Sequence, residues 1–267
     1  MPRLFISLRT KTAISKPLRM KSGPNGEAGT IGEQGTQAVL IWNTAGKSEL
    51  AFVDLRTEKM SSGPPLPTEL AFAPKFSRDG KQLALVLNGA AAPSDVWVLD
   101  LASRRFHQVT HSPHTGINLD NLVRPQLVHY SANDGLPLSA WLWLLKHWSP
   151  PGPVVLRFHG GPEGEELPGF RSDYQALLIE GIAVLAPNVR GSCGFGRRFV
   201  NLDNGKLRFN AIKDIKSSAD PNSKDRPAEA VLVFAADKCG PGAYNFPLYT
   251  VFCDPMHNSG LLLLSIA

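Results

Sequence analysis

Residues 154–162 read VVLRFHGGP, residues 172–180 read SDYQALLIE, and residues 182–188 read IAVLAPN. Val154 to Phe158 reads as a buried-type strand and the third stretch as a continuous apolar strand, while the middle one has helical apolar spacing and stops at Gly181. Strand, helix and strand in that order make a βαβ crossover, and hence a parallel sheet with helices on its faces. Just upstream, LVHYSANDGLPLSAWLWLL from Leu127 reads as two strands joined at Asn133-Asp134-Gly135, a strong hairpin signal, and SPPGP follows as a stiff spacer. Downstream, KLRFNAIKDIKSSAD from Lys206 predicts a further helix with Leu207, Ala211, Ile212 and Ile215 on one side.

The first half has a different period. SELAFVDLRT from Ser48 and SDVWVLDLAS from Ser94 align at an offset of 46, and QAVLIWN from Gln37 falls on LALVLNG from Leu83 at that same offset. Such a period suits propeller blades, each a small four-stranded sheet; an antiparallel meander of two hairpins is the plainer alternative. In the second unit an Asp79-Gly80 turn, suited to positive φ, precedes the apolar run Leu83 to Leu87. Two blades cannot close a ring, since closure takes about four or more.

Composition narrows the classes. The 267 residues are 43% hydrophobic, enough for a real core in one large or two ordinary domains. Of the net +5 charge, six basic residues (Arg3, Arg9, Lys11, Lys16, Arg19 and Lys21) precede the first acid, Glu27. The basic character thus belongs to a tail, and no nucleic-acid partner is expected for the body. That acid-free, Ser/Thr-bearing tail also has the composition of an organelle transit peptide, the alternative being a disordered N-terminus. Three cysteines without CxxC spacing argue against a disulfide framework or a zinc site and for a reducing, cytoplasmic setting. The terminal LLLLSIA falls far short of the ~20 apolar residues a membrane span needs, so no membrane partner is expected.

The most chemical feature is His159-Gly160-Gly161-Pro162 at a strand end. Two glycines let the backbone turn sharply and present its N–H groups; in α/β-hydrolases such a loop supplies an oxyanion donor worth about 2.7–4 kcal/mol, and Gly161 is the residue placed for it. A structural turn is the plain reading of the same residues. His159 has no partner at metal-ligand spacing, so no metal is expected. The second feature is NVRGSCGFGRRF, residues 188–199, which sets Ser192 among glycines. A nucleophile elbow needs GxSxG, and Arg190 occupies the first glycine position. Ser192, Asp237 and His257 do follow the Ser, Asp, His order of α/β-hydrolases, which makes them the alternative triad; Cys193 beside Arg190 and Arg197 is a further nucleophile to weigh.

Together, FSRDGKQLALVLNGAAAPSDVWVLDL, SANDGLPLSAWL, VVLRFHGGP and GIAVLAPNVRGSCGFGRRFVNLDNGKLRFNAIKDI resemble the prolyl oligopeptidase family of serine peptidases, especially its acylaminoacyl-peptidase and dipeptidyl-aminopeptidase branch. The resemblance runs from about Gln37 to about Ala219. It implies a β-propeller fragment of about two blades followed by the N-terminal part of an α/β-hydrolase domain. It also implies short peptides as substrates of the full-length family, cleaved by a Ser-Asp-His triad without cofactor. The corresponding organisation is a basic tail at 1–36, a partial propeller at 37–117, a partial hydrolase domain at 118–219 and a divergent tail at 220–267. In the family the elbow serine lies on the strand after the IKDI helix. Here the pattern is lost after Ala219, as an early stop, altered splicing or a shifted frame would produce, and GxSxG occurs nowhere in the chain. Arg190 and Asp214 read as a salt bridge or loop anchor. The expected function is therefore that of a serine peptidase by descent, inactive as this chain; the alternative is a non-catalytic module pairing with itself or a partner through exposed strand edges.

Overall fold

The computed structural model describes residues 4–6, 18–20, 25–148, 152–160, 163–219, 232–233, 248–252 and 262–266. The chain divides into two units, residues 1–120 with 168–170, and residues 121–167 with 171–267.

In the first unit, β1 (Leu4–Ile6) pairs antiparallel with β2 (Leu18–Met20). Two four-stranded antiparallel meanders follow. The first runs β3 (Asn25–Ile31), β4 (Gln37–Thr44), β5 (Lys47–Asp54), β6 (Met60–Ser62), and the second β7 (Leu70–Phe76), β8 (Gln82–Gly89), β9 (Ala92–Asp100), β10 (Arg105–Gln108). The stretch 1–36, read from its charge as a tail, thus contributes β3 to the first sheet, because Ile31 to Ala28 continue the ladder of Ala38 to Ile41. Hairpin chemistry sets the turns. Ala45 and Gly46 adopt φ 51° and 82° between β4 and β5, and Gly80 takes φ 69° while donating its N–H to Ser77 O at 2.9 Å.

The sheets share one core. Val39, Ile41 and Leu50 of the first sheet cluster with Ala71, Phe76, Leu83, Leu85, Leu87 and Leu99 of the second. Gln37 Nε2 ties the two together by donating to Gly80 O at 2.9 Å. The repeat is real, but its register differs from a constant offset. Pairing places Val39 opposite Phe52 and Ile41 opposite Leu50, and in the second sheet Ala84 opposite Val98 and Val86 opposite Val96. Gln37 therefore corresponds to Gln82, which opens β8, and not to Leu83. The register shift opposite Leu87 and Gly89, which pair with Asp95 and Ala92, takes up the extra residue on β9, and without it every side chain of that strand would change face.

The second unit holds a mixed sheet in the order β11 (Gln126–Ser131), β12 (Pro137–Trp143), β14 (Ala183–Asn188), β13 (Val154–Leu156). β13 and β14 are parallel and joined through α1 (Ser172–Ile179), the crossover read from the apolar runs; the β11–β12 turn is closed by Gly135 at φ 78°. β12 is buried on both faces. Leu138, Ala140 and Leu142 face one cluster, while Trp141 and Trp143 face Tyr174 and Leu178 of α1, with the Trp143 and Tyr174 rings edge-on at 4.9 Å. After β14 come α2 (Arg197–Val200) and α3 (Arg208–Ala219). α3 is rotated from the side expected of its apolar residues: Asp214 and Ser218 are fully buried with Ile215 packed beside them, whereas Ile212 and Leu207 are 48% and 47% exposed. Polar contacts set the rotation, since Tyr130 Oη meets Ser218 Oγ at 2.6 Å and Asp214 holds Arg190. Beyond α3, β15 (Leu232–Val233), β16 (Leu248–Phe252) and β17 (Leu262–Ile266) form an antiparallel sheet. Among the described residues no helix is long and apolar enough to cross a membrane.

Candidate functional site

The chemistry-bearing segments follow β13 and β14. In a parallel pair the C-terminal ends of neighbouring strands lie side by side, so the βαβ crossover brings the His159 loop against the Ser192 loop. His159 Nε2 lies 2.7 Å from Ser192 Oγ, and Ser192 Oγ lies 2.6 Å from Val189 O. A carbonyl only accepts, so the single hydroxyl proton of Ser192 goes to Val189 and His159 Nε2 must carry the proton it shares with Ser192. The pair has the components of a nucleophile and base with the proton flow reversed. Ser192 is also 0% exposed.

The loop around Ser192 depends on its glycines. Gly191 and Gly194 hold φ 94° and 84°, and a Cβ on either would run into the carboxylate of Asp203 or of Glu165 respectively. Cys193 N donates to Gly164 O at 3.0 Å, which ties the two loops together, and the Cys193 thiol sits 3.9 Å from Glu165 Oε2. Burial, with the charge of Glu163 adding to it, holds the carboxyl of Asp203 above the usual carboxylate range.

Arg190 fastens the base of the loop. Its Nε and Nη2 donate to the two oxygens of Asp214 at 2.7 Å each, its backbone N–H donates to Asp214 Oδ2 at 3.0 Å, and Nη1 and Nη2 reach Asp134 at 2.9 and 2.8 Å. One guanidinium thereby joins the β11–β12 turn, the loop after β14 and α3 with bidentate geometry on both sides. The two carboxylates push the Arg190 guanidinium further above its ordinary value, and the Arg190 hydrogen bonds hold the Asp134 carboxyl below the usual range.

Of the residues read from sequence, the structure brings together His159 with Ser192 and Arg190 with Asp214. Gly160 is described, with its carbonyl 3.4 Å from His159 Nδ1. Gly161, the oxyanion donor expected from the HGGP turn, and Asp237 and His257, the other members of the alternative triad, lie outside the described residues. No group of three or more His, Cys, Asp or Glu side chains among the described residues could hold a metal ion. The His159–Ser192 contact was not foreseen, although the βαβ reading contains it.

A sheet ordered 1-2-4-3 with one crossover helix, preceded in the chain by antiparallel meanders, has the fold of an α/β-hydrolase sheet that follows propeller-type sheets. Solved structures agree. A prolyl endopeptidase matches with TM-score 0.71 at 16% identity over 83% of this chain and 33% of that one. A puromycin-hydrolyzing peptidase of Mycobacterium tuberculosis matches with TM-score 0.64 at 17% identity over 83% and 36%. This is likeness of fold. In sequence, the uncharacterized peptidase YuxL of Bacillus subtilis is 26% identical over 137 residues, 51% of this chain and 21% of that protein. Dipeptidyl aminopeptidase BIII of Pseudoxanthomonas mexicana is 46% identical over 56 residues, 21% of this chain and 8% of that protein.

The C-terminal stretch is similar to something else. Residues 216–266 match the fructose-1,6-bisphosphatase family. The fructose-1,6-bisphosphate aldolase/phosphatase of Thermus thermophilus is 64% identical over 39 residues, 15% of this chain and 11% of that protein. The tail that departs from the peptidase pattern therefore has relatives of its own. The chain spans about a third of the solved structures it matches and 21% or less of these curated relatives.

Proposed function

We propose that this chain is the propeller and N-terminal hydrolase portion of a serine peptidase of the prolyl oligopeptidase type, and that it does not hydrolyse peptides by itself. The observation that carries this reading is the state of Ser192: fully buried, its proton committed to Val189 O, and the neighbouring His159 acting as donor. An acyl-transfer nucleophile needs an exposed oxygen and a base that accepts its proton. Two loops, one with an HGGP turn and one with glycine-dependent packing, are then the scaffold around an oxyanion position, without the elbow that would use it. Family resemblance supports peptide hydrolysis as the lineage. The bisphosphatase-like stretch covers too little of those proteins to carry their chemistry.

Acyl-peptide and dipeptide-anilide substrates, assayed alongside fructose 1,6-bisphosphate, test the proposal. The expected outcome is no turnover of any of them above a heat-denatured control. Peptide turnover that disappears in Ser192→Ala would overturn it.

A second reading is favoured by one observation. Among the described residues β11 ends its sheet with β12 as its ladder partner, and α3 exposes Phe209 and Ile212. An end strand and an exposed apolar helix side suit a module that pairs with another chain. Stoichiometric co-purification with one partner, lost on substituting Phe209→Lys, is the result that would favour it.

A further inference from the structure

The chain holds three Asn-Gly pairs, beginning at Asn25, Asn88 and Asn204. Such a pair carries its own chemistry, because a glycine without a Cβ lets its backbone nitrogen swing onto the asparagine side-chain carbonyl and close a five-membered ring. Asn25-Gly26 opens β3, and the other two pairs have opposite surroundings. Asn88-Gly89 lies in β8, with Asn88 opposite Leu70 and Gly89 opposite Ala92. Asn88 Oδ1 accepts from the Phe170 N–H at 2.9 Å, and its Nδ2 donates to Ser94 Oγ at 3.0 Å. A Cβ on Gly89 would run into the Glu69 carboxylate, so the ring cannot close there without opening the strand. Asn204-Gly205 lies between α2 and α3, and both residues are exposed. Asn204 Nδ2 donates to Asn201 Oδ1 at 3.1 Å, an exposed contact, and its side chain makes no cap hydrogen bond to the 3-10 turn Gly205–Leu207 that follows. Gly205 holds φ 60°, and nothing lies within 4 Å of where its Cβ would stand, which leaves room for the 204–205 peptide to rotate.

We propose that Asn204 is a site of covalent self-modification, at which its side-chain amide is converted to aspartate and isoaspartate with water as the only co-reactant. The Gly205 nitrogen bonds to Asn204 Cγ and gives up its proton to solvent, while the Cγ–Nδ2 bond breaks and ammonia leaves. Water then opens the succinimide. Attack at Cγ gives aspartate, and attack at the main-chain carbonyl gives isoaspartate, with the chain rerouted through the side chain. The surroundings favour the first step. Arg208 Nε donates to Gly205 O at 2.9 Å, so a guanidinium stands beside the attacking nitrogen and favours its loss of a proton. The product carries a carboxylate where a neutral amide stood, and it adjoins Asp203, whose carboxylate occupies the space a Cβ on Gly191 would need. The modified residue therefore borders the Ser192 loop. The proposal does not depend on the peptidase reading.

Incubation of the full chain in mildly alkaline buffer, with tryptic peptide mapping over a course of days against an unincubated sample, is the test. The peptide Phe199–Lys206 carries Asn204 together with Asn201, which precedes Leu202 and serves as the internal control. The mass gain of an amide-to-acid conversion is expected in this peptide, placed by fragmentation at residue 204 and not at 201, with two acid isomers that elute apart. Conversion at Asn88 is expected to be slower by about tenfold or more, the factor that breaking its two side-chain hydrogen bonds imposes. In the denatured chain the two pairs should convert at similar rates. Gly205→Ala slows the reaction; because that position has positive φ and the variant can fail to fold, Asn204→Gln, which cannot form the five-membered ring, is the second variant and abolishes it. An Asn204 that keeps its amide in the folded chain for as long as the denatured chain takes to convert overturns the proposal. Conversion at Asn88 as fast as at Asn204 in the folded chain overturns it equally.

Discussion

Ser192 and Arg190, two residues apart, share a loop and hold it by different means. Ser192 satisfies a carbonyl and an imidazole at once, so Ser192→Ala removes two hydrogen bonds, that to Val189 O and that with His159 Nε2, while the backbone N–H of residue 192 still reaches Val189 O. A loss of roughly 1–3 kcal/mol in stability is expected, read from the denaturant midpoint, with no change in any hydrolytic activity. Arg190 lies in an ion pair whose other member, Asp214, has 0% exposure. Asp214→Ala removes the buried partner of the Arg190 guanidinium and leaves it Asp134, so it should cost roughly 3 kcal/mol by the same measurement. Asp134 is the exposed partner, and its carboxyl is held low by the Arg190 hydrogen bonds. A carboxyl depressed in the folded state adds stability that is present above the unfolded value, about 3.9, and is lost as pH falls through the folded one. Below about pH 4 the stability of Asp134→Asn should therefore fall less steeply than that of the unsubstituted chain. The Ser-x-Gly pattern in the sequence pointed to chemistry at Ser192. What it could not convey is which way a proton points, because that depends on Val189 O and His159, and His159 is brought in by the crossover.

Strands and turns obey local rules closely enough to be read in advance. Asp79-Gly80 and Asn133-Asp134-Gly135 close hairpins through glycines at positive φ, and the apolar runs at 154–156 and 183–188 are strands buried in a sheet. Ala45 is one exception, a residue with a Cβ at φ 51° in a two-residue turn. Ala45→Asn, better suited to that region, is expected to raise stability by about 1 kcal/mol in thermal or denaturant unfolding. Two element-level features were not legible. The repeat was visible, but not the bulge that adds one residue to β9 between Ala92 and Asp95, because a register shift depends on the partner strand and leaves no periodic mark in the sequence. The α3 face was misread because a buried ion pair and the Tyr130–Ser218 contact outweigh an apolar stripe. β3 was hidden by the basic composition ahead of it, since its own residues, NGEAGTI, are weak strand formers that ladder onto β4.

At the scale of the molecule, two likenesses meet near the end of α3. Upstream lie the sheets of a peptidase fold, and from residue 216 onward lies similarity to fructose-1,6-bisphosphatases. The sequence alone located the break at Ala219 from the loss of pattern, but a short stretch of unfamiliar residues carries no physical sign of its own ancestry. The break falls before any GxSxG, and on the proposed reading the chain has the scaffold of a serine peptidase without its nucleophile. Intact-mass analysis after treatment with a fluorophosphonate tests it most directly, because the reagent adds covalently to an activated serine whatever the substrate. The account predicts an unchanged mass for the full chain. A stoichiometric adduct on any serine, above all one mapping to Ser192 and absent from Ser192→Ala, would contradict it.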